Sequence, residues 1–187
     1  MKNIIYIFFV SILLSSCSTQ ENDTVLSTGL TWSYSSDKFT ITTPSNWVDL
    51  TWDESVLPKI DSAEIVLAKS SPDVISGYSN NIVILNHTLS EEKSSVDYSL
   101  LNSLQATKNY KEYNQISSNI TSFDDGEQSY INTFEVKYNS QTPKYKLIQM
   151  WRVCEKTDAF YLTIGINMNI TDTTRYENIL KTFKCKS

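Results

Sequence analysis

The chain has 187 residues, and its 16 lysines and arginines against 21 aspartates and glutamates give a net charge of −5. No block of basic residues occurs in it, which excludes the positive surface that nucleic-acid-binding proteins use. The length suits one domain with a sizeable core and leaves no room for a second. We therefore expect a single acidic domain with no nucleic-acid partner.

The N-terminus has the features of an export signal. Lys2 precedes an apolar run over residues 4–14, which is typical of a secretory signal peptide. This run is too short to cross a membrane, since a spanning helix needs about 20 apolar residues. Leu14-Ser15-Ser16-Cys17 closes the run and resembles the lipobox of bacterial lipoproteins, in which an aliphatic residue and two small residues precede the cysteine.

The resemblance implies that residues 1–16 are a signal peptide, cleaved once the thiol of Cys17 has received a lipid. The alternative is an ordinary cleaved signal with a chance cysteine at its end. Residues 17–29 are polar and predict a flexible tether with a span of about 20 Å. We expect an exported protein whose domain, residues 30–187, is held outside the cytoplasm by lipid at the cell membrane or an outer membrane.

Residues 30–187 have a strand-rich pattern, because β-branched and aromatic residues recur in short runs broken by turn residues. Asp124-Asp125-Gly126 lies between two long runs and predicts a tight hairpin turn. The segments 82–85 and 144–154 are apolar on both sides, which predicts central strands. The predicted strands are residues 30–34, 39–42, 63–69, 82–87, 113–123, 129–139, 144–154 and 159–167.

Two segments have helical periodicity instead. The first begins at Ser94 or Ser95 as a cap, and its predicted buried stripe is Val96, Leu100, Leu101 and Leu104. The second begins after Thr171 or Asp172, and its predicted buried residues stand at i, i+3, i+4 and i+7: Tyr176, Ile179, Leu180 and Phe183.

Two helices with a mainly antiparallel sheet predict an α+β fold in which the helices cover the sheet faces. The segment Phe39-Thr-Ile-Thr-Thr-Pro-Ser-Asn-Trp47 is similar to the opening of PsbP-like domains, and residues 176–183 resemble their closing helix. The resemblance covers residues 30–185 and implies an α/β/α sandwich, found also in DcrB-like bacterial lipoproteins and in a nuclear-transport factor that binds a small GTPase. Members mostly bind proteins or assist assembly and share no catalytic residues.

Cys154 and Cys185 remain as an even pair once Cys17 is assigned to the lipid. An exported protein can keep a disulfide, so we expect these two residues to be bonded. The alternative is two buried free thiols.

Residues that could carry chemistry are few. His87 is the only histidine, and its place at the end of an apolar strand indicates a structural role rather than part of a catalytic triad. Asp124, Asp125 and Glu127 could offer oxygen ligands to calcium, but a hairpin turn explains the same residues. We expect no catalytic residues, no metal site and no cofactor.

The binding candidates are Trp52, Asp53 and Glu54, in a stretch without periodicity. An exposed tryptophan in such a loop is a reasonable binding anchor, although a core position is the alternative for Trp52, and the other tryptophans should be core. The sequence favours a membrane-anchored, non-catalytic module that binds or assembles another envelope protein. The alternatives are a lipoprotein that captures a peptide, sugar or metal for uptake, and a carboxylate-based hydrolase.

Overall fold

The computed structural model describes residues 31–53, 55, 57, 60, 62–104 and 110–186. The predicted signal peptide, Cys17 and the tether therefore lie outside the described residues. The described residues form ten strands and two helices: β1 Thr31–Ser35, β2 Phe39–Pro44, β3 Val48–Asp49, β4 Glu64–Ile75, β5 Tyr78–Thr88, α1 Ser95–Ser103, β6 Glu112–Ser122, β7 Gln128–Lys137, β8 Tyr145–Cys154, β9 Asp158–Asn167, α2 Thr174–Lys181 and β10 Lys184–Cys185.

The strands form two antiparallel sheets. The large sheet has the order β3-β4-β5-β9-β8-β7-β6, and the small sheet has the order β1-β2-β10. The predicted α+β class with a mainly antiparallel sheet is confirmed, and so are the central positions of β5 and β8. The predicted turn at Asp124-Asp125-Gly126 is also confirmed, since Gly126 has a φ of 90° and its N–H donates to Phe123 O at 2.9 Å.

The hairpin of β4 and β5 is longer than predicted. Ser76 and Gly77 have φ angles of 52° and 76°, as a two-residue hairpin turn requires. A register shift between Ser70 and Val74 breaks the alternation, which is why residues 70–81 gave no strand signal. The strands β3 and β10 have two residues each, too short for any periodicity to reveal.

One face of the large sheet is covered by α2 and the small sheet. As predicted, Tyr176, Ile179, Leu180 and Phe183 are buried there, with Phe183 just beyond the end of α2. They pack against an aliphatic layer from the central strands. The predicted N-cap, Thr171 or Asp172, was wrong, since the N-cap of α2 is Thr173. Asp172 lies one residue earlier, and its carboxylate accepts from the Thr174 N–H at 3.0 Å.

The same side of the molecule is fastened by a disulfide and an ion pair. Cys154 of β8 and Cys185 of β10 are bonded, with their Cα atoms 5.8 Å apart, as the sequence predicted. Beside them, the buried guanidinium of Arg152 donates to both carboxylate oxygens of Asp125 at 3.0 and 2.9 Å. Asp125 therefore joins the β6–β7 turn to β8.

The opposite face is covered by α1, which packs differently. Its predicted cap Ser94 is confirmed, since the hydroxyl accepts from the Asp97 N–H at 3.0 Å. The predicted apolar stripe is wrong, because Leu100, Leu101 and Leu104 are 42%, 46% and 68% exposed. The residues that α1 buries are Ser95, Tyr98 and Ser99.

The reason lies in the sheet beneath α1. Pairing of β7 with β8 ends at Ile131 and Met150, and the two strands separate beyond that point. Two backbone N–H groups at the split donate to serine hydroxyls of α1: Val153 N to Ser95 Oγ at 3.0 Å and Tyr130 N to Ser99 Oγ at 3.1 Å. An N–H group that the helix shields from water needs an acceptor, which a leucine side chain cannot provide.

Candidate functional site

The first part of the candidate site is β3 and the turn that follows it, at one edge of the large sheet. Asp49 pairs with Lys69 of β4. Beyond the strand, the Leu50 N–H donates to Ala68 O at 2.8 Å, and Thr51 Oγ1 accepts from the Ala68 N–H at 3.0 Å. The segment is therefore held against β4 although its strand has two residues.

Trp52 lies in the turn closed by these contacts. The Asp53 N–H donates to Leu50 O at 3.0 Å, which leaves Thr51 and Trp52 as the two central turn residues. Thr51 is turned inward and Trp52 is 85% exposed. The alternative that Trp52 fills the core is therefore wrong.

The other predicted members of the site lie in or next to the same turn. Asp53 is exposed, and its carboxylate accepts hydrogen bonds from the side chain and the backbone N–H of Ser55, which lower the pKa of Asp53. Glu54 lies outside the described residues. The carboxylate of Asp53 is thus held by Ser55 on the protein surface, one residue after Trp52.

Two further apolar side chains at this end of the molecule are exposed, and the sequence did not single them out. Val48 of β3 is 52% exposed and Trp32 of β1 is 54% exposed. Trp32 was expected in the core, as were all the tryptophans except Trp52. By contrast Trp47, five residues before Trp52, is 6% exposed and belongs to the core.

Trp32 is held in place by a buried lysine. Lys69 is 3% exposed, its Nζ lies 4.4 Å from the centre of the Trp32 ring, and it donates to Thr43 Oγ1 at 3.3 Å. Burial lowers the pKa of Lys69, whereas the negative charge of Asp49 raises it. A cation over an indole is worth about 0.5 to 2 kcal/mol, so Lys69 fixes the ring from below.

This arrangement suits binding more than catalysis. Trp52 and Val48 are exposed in and just before the turn, and exposed aromatic side chains are typical anchors of protein interfaces. Trp32 is a separate exposed indole over Lys69, on the face of the sheet that Asp49 shares and Val48 does not. Lys69, the one amine in the group, is enclosed by Trp32, Thr43 and its cross-strand neighbour Asp49. The sequence offers only a weak signal for the burial of Lys69: it ends the predicted strand 63–69 on the same side as Leu67, and a lysine at a strand end is ordinarily exposed.

His87 lies away from this surface, on the α1 face of the sheet. Its Nε2 is 3.0 Å from the Tyr98 hydroxyl. Burial lowers the pKa of His87, and the charge of Asp158 acts in the opposite direction. His87 thus packs against Tyr98 of α1.

Within the described residues, no group of three or more His, Cys, Asp or Glu side chains could hold a metal ion. No helix in this part of the chain is long and apolar enough to span a membrane.

Comparison with known proteins gives the fold. No protein-family model matches the chain, and no curated protein sequence matches it. The Saccharomyces cerevisiae Ran-binding protein Mog1p is similar in structure, with a TM-score of 0.50 at 9% identity, over 84% of this chain and 96% of Mog1p. A crystal structure from Bacteroides thetaiotaomicron also has a TM-score of 0.50, at 11% identity, over 80% of this chain but 45% of the other, so this chain spans less than half of that protein.

Proposed function

We propose that this protein is a lipid-anchored, non-catalytic module of the cell envelope that binds another protein through the surface around Trp52. The observation that carries the proposal is the exposure of Trp52, 85%, on a turn fixed by backbone and side-chain hydrogen bonds. Covering such an indole recovers up to about 6 kcal/mol, from an aromatic area of about 150 to 250 Å² at about 25 cal/mol per Å². Because the turn is already ordered, little of this energy is lost in arranging it.

The surroundings of Trp52 support the same role. Val48 adds exposed apolar area four residues before Trp52, Trp32 adds a second exposed indole on the face that Asp49 shares, and the carboxylates of Asp49 and Asp53 give this edge of the sheet an acidic character. Tryptophan anchors with polar neighbours are typical of the few residues that dominate binding energy. A partner with an apolar pocket and a basic rim would fit this surface.

The anchor and the family are part of the proposal. A lipid on Cys17 would hold the domain at a membrane through residues 17–29, with a reach of about 20 Å. The resemblance of residues 39–47 and 176–183 to PsbP-like and DcrB-like domains supports a role in binding or assembly. The description of Mog1p as a Ran-binding protein shows one protein-binding use of a similar fold, in that protein.

The anchor is tested by labelling cells with radioactive palmitate. We expect label on the wild-type chain and a loss of label in Cys17→Ala, together with accumulation of the longer precursor. Equal labelling of both chains would contradict the lipid anchor and would leave the binding surface to be judged by its own experiment.

The binding surface is tested with a photoreactive amino acid at position 48 in the full chain, illuminated in intact cell envelopes. We expect a discrete cross-linked product that disappears when Trp52→Ala is added. The matched control is Leu104→Ala, because Leu104 is also strongly exposed but lies on α1. A product that survives Trp52→Ala, or that Leu104→Ala removes equally well, would contradict the proposal.

A further inference from the structure

The outer strand β6 has one edge whose backbone N–H and C=O groups pair with no other described strand. It runs from Glu112 to Ser122 and, among the described strands, pairs only with β7. Most of its side chains are exposed on both faces, and Ile116 and Ile120 are 49% and 53% exposed.

The hairpin turn determines which backbone groups of β6 face outward. The Phe123 N–H donates to Glu127 O at 2.9 Å, so residue 123 bonds towards β7. In an antiparallel pair the bonded residues alternate, which directs the N–H and C=O groups of Ser122, Ile120 and Ser118 away from β7. Three consecutive outward positions thus carry both a donor and an acceptor.

This stretch lacks the usual protection of a sheet edge. Natural edges are blunted by lysine, proline, charged side chains or bulges. The strand has one register shift, between Gln115 and Ser117. The following residues 117–122 read Ser-Ser-Asn-Ile-Thr-Ser and contain no charge and no proline.

We propose that β6 pairs antiparallel with β6 of a second copy of the chain, about a two-fold axis at Ile120. In this register Ser118 of one copy faces Ser122 of the other, so every outward N–H meets an outward C=O. The two Ile120 side chains lie side by side on the same face and cover each other. No like charges meet, which matters because each chain carries a net charge of −5.

The size of this contact predicts a weak dimer. A standard stable interface buries about 1,600 Å², and pairing of a few residues along a single strand gives less. Attachment of both copies to one membrane would raise their local concentration, so the dimer is best detected by cross-linking in membranes. This surface is separate from the one around Trp52, and the two proposals can fail independently.

The main test is thiol cross-linking of the full chain in membranes with a short bis-maleimide, using Ile120→Cys. The matched control is Leu104→Cys, which carries its thiol on α1. We expect a product of twice the chain mass from Ile120→Cys and none from Leu104→Cys. Equal products from both chains, no product, or a product of another mass from Ile120→Cys would overturn the second-copy pairing.

Backbone pairing is tested by adding Ser118→Pro or Ser118→Ala to Ile120→Cys. Proline removes an outward N–H without breaking a bond to β7, so we expect it to abolish the dimer product while alanine leaves it unchanged. An undiminished product with proline would overturn the pairing.

A second variant covers the case in which proline perturbs the fold. Ile120→Lys places like charges opposite each other at the axis, at a half-exposed position that tolerates a polar side chain. Sedimentation of the full chain in detergent at high protein concentration should show a dimer fraction that Ile120→Thr keeps and Ile120→Lys loses. No dimer fraction in the unsubstituted chain at that concentration would also count against the pairing. A dimer fraction that Ile120→Lys does not lower would contradict the proposal.

Discussion

The two helices cover opposite faces of one sheet with opposite chemistry. On one face α2 buries Tyr176, Ile179 and Leu180 against an aliphatic core. On the other face α1 buries Ser95 and Ser99 with one tyrosine and leaves three leucines in water. The difference shows that a helix buries what the sheet beneath it requires: side-chain volume over a continuous sheet, and hydrogen-bond acceptors over a split.

The sheet residues differ in the same way. Facing α1, a row of polar side chains crosses four strands, and Ser118 donates to Asn132 at 2.7 Å while Gln149 donates to Thr163 at 3.4 Å. Aromatic clusters lie on either side of this row. These clusters contain four buried tyrosines: Tyr78, Tyr98, Tyr145 and Tyr161. Among the described residues, the core on the opposite face contains one buried tyrosine, Tyr176.

Alkaline pH should therefore lower the free energy of unfolding mainly through the α1 face, and this is the largest effect that we expect. Burial raises the pKa of these four tyrosines well above its usual value. A raised pKa stabilises the fold below the unfolded-state pKa of about 10, and this stability is lost as the pH rises further. We expect a loss of up to about 1.4 kcal/mol for each tyrosine per pH unit above about 10.

The measurement is urea unfolding between pH 8 and 11, with tyrosinate absorbance followed in parallel. The variant Tyr161→Phe removes one of the four groups and should make the alkaline loss less steep. If every tyrosine ionises near pH 10 with the fold intact, the tyrosines of the α1 face are not buried as described.

Truncating one leucine on each helix compares the two faces directly. Leu180 is 0% exposed, so Leu180→Ala should cost about 2 to 5 kcal/mol of unfolding free energy. Leu104 is 68% exposed, so Leu104→Ala should stay within about 0.5 kcal/mol of wild type. Urea unfolding measures both, and equal losses would mean that the leucines of α1 are buried after all.

Removing a serine of α1 should have a smaller but specific effect. Ser95→Ala leaves the part-buried Val153 N–H without its acceptor, which should cost about 1 to 3 kcal/mol. Hydrogen exchange should show faster exchange of the Val153 amide. Ser103→Ala is the control, because its hydroxyl bonds within the helix to Leu100 O, and it should leave the Val153 amide unchanged.

The sequence predicted those parts of the fold that depend on local periodicity. The central strands, the Asp-Gly turn and the buried side of α2 follow from side-chain alternation and from residues that favour turns. The buried side of α1 did not, because the need for Ser95 and Ser99 arises where β7 separates from β8, a contact between distant segments. Trp32 was misplaced for a related reason, since only the tertiary position of Lys69 shows that its ring lies on the surface.

The candidate site was predictable in part. Trp52 and Asp53 were found because they interrupt periodicity between two strands, which is where a surface turn forms. Val48 and Lys69 were not, since a two-residue strand gives no signal and a lysine at the end of a strand is ordinarily exposed. The sequence thus located the turn but not the strand edge that supports it.

The central claim is that Trp52 is exposed for binding and not required for folding, and Trp47 provides the comparison. The most direct measurement is the unfolding free energy of Trp52→Ala and Trp47→Ala. We predict a loss within about 0.5 kcal/mol for Trp52→Ala and about 3 to 5 kcal/mol for Trp47→Ala. A loss of similar size for Trp52→Ala would contradict the account, because it would make Trp52 a residue of the core.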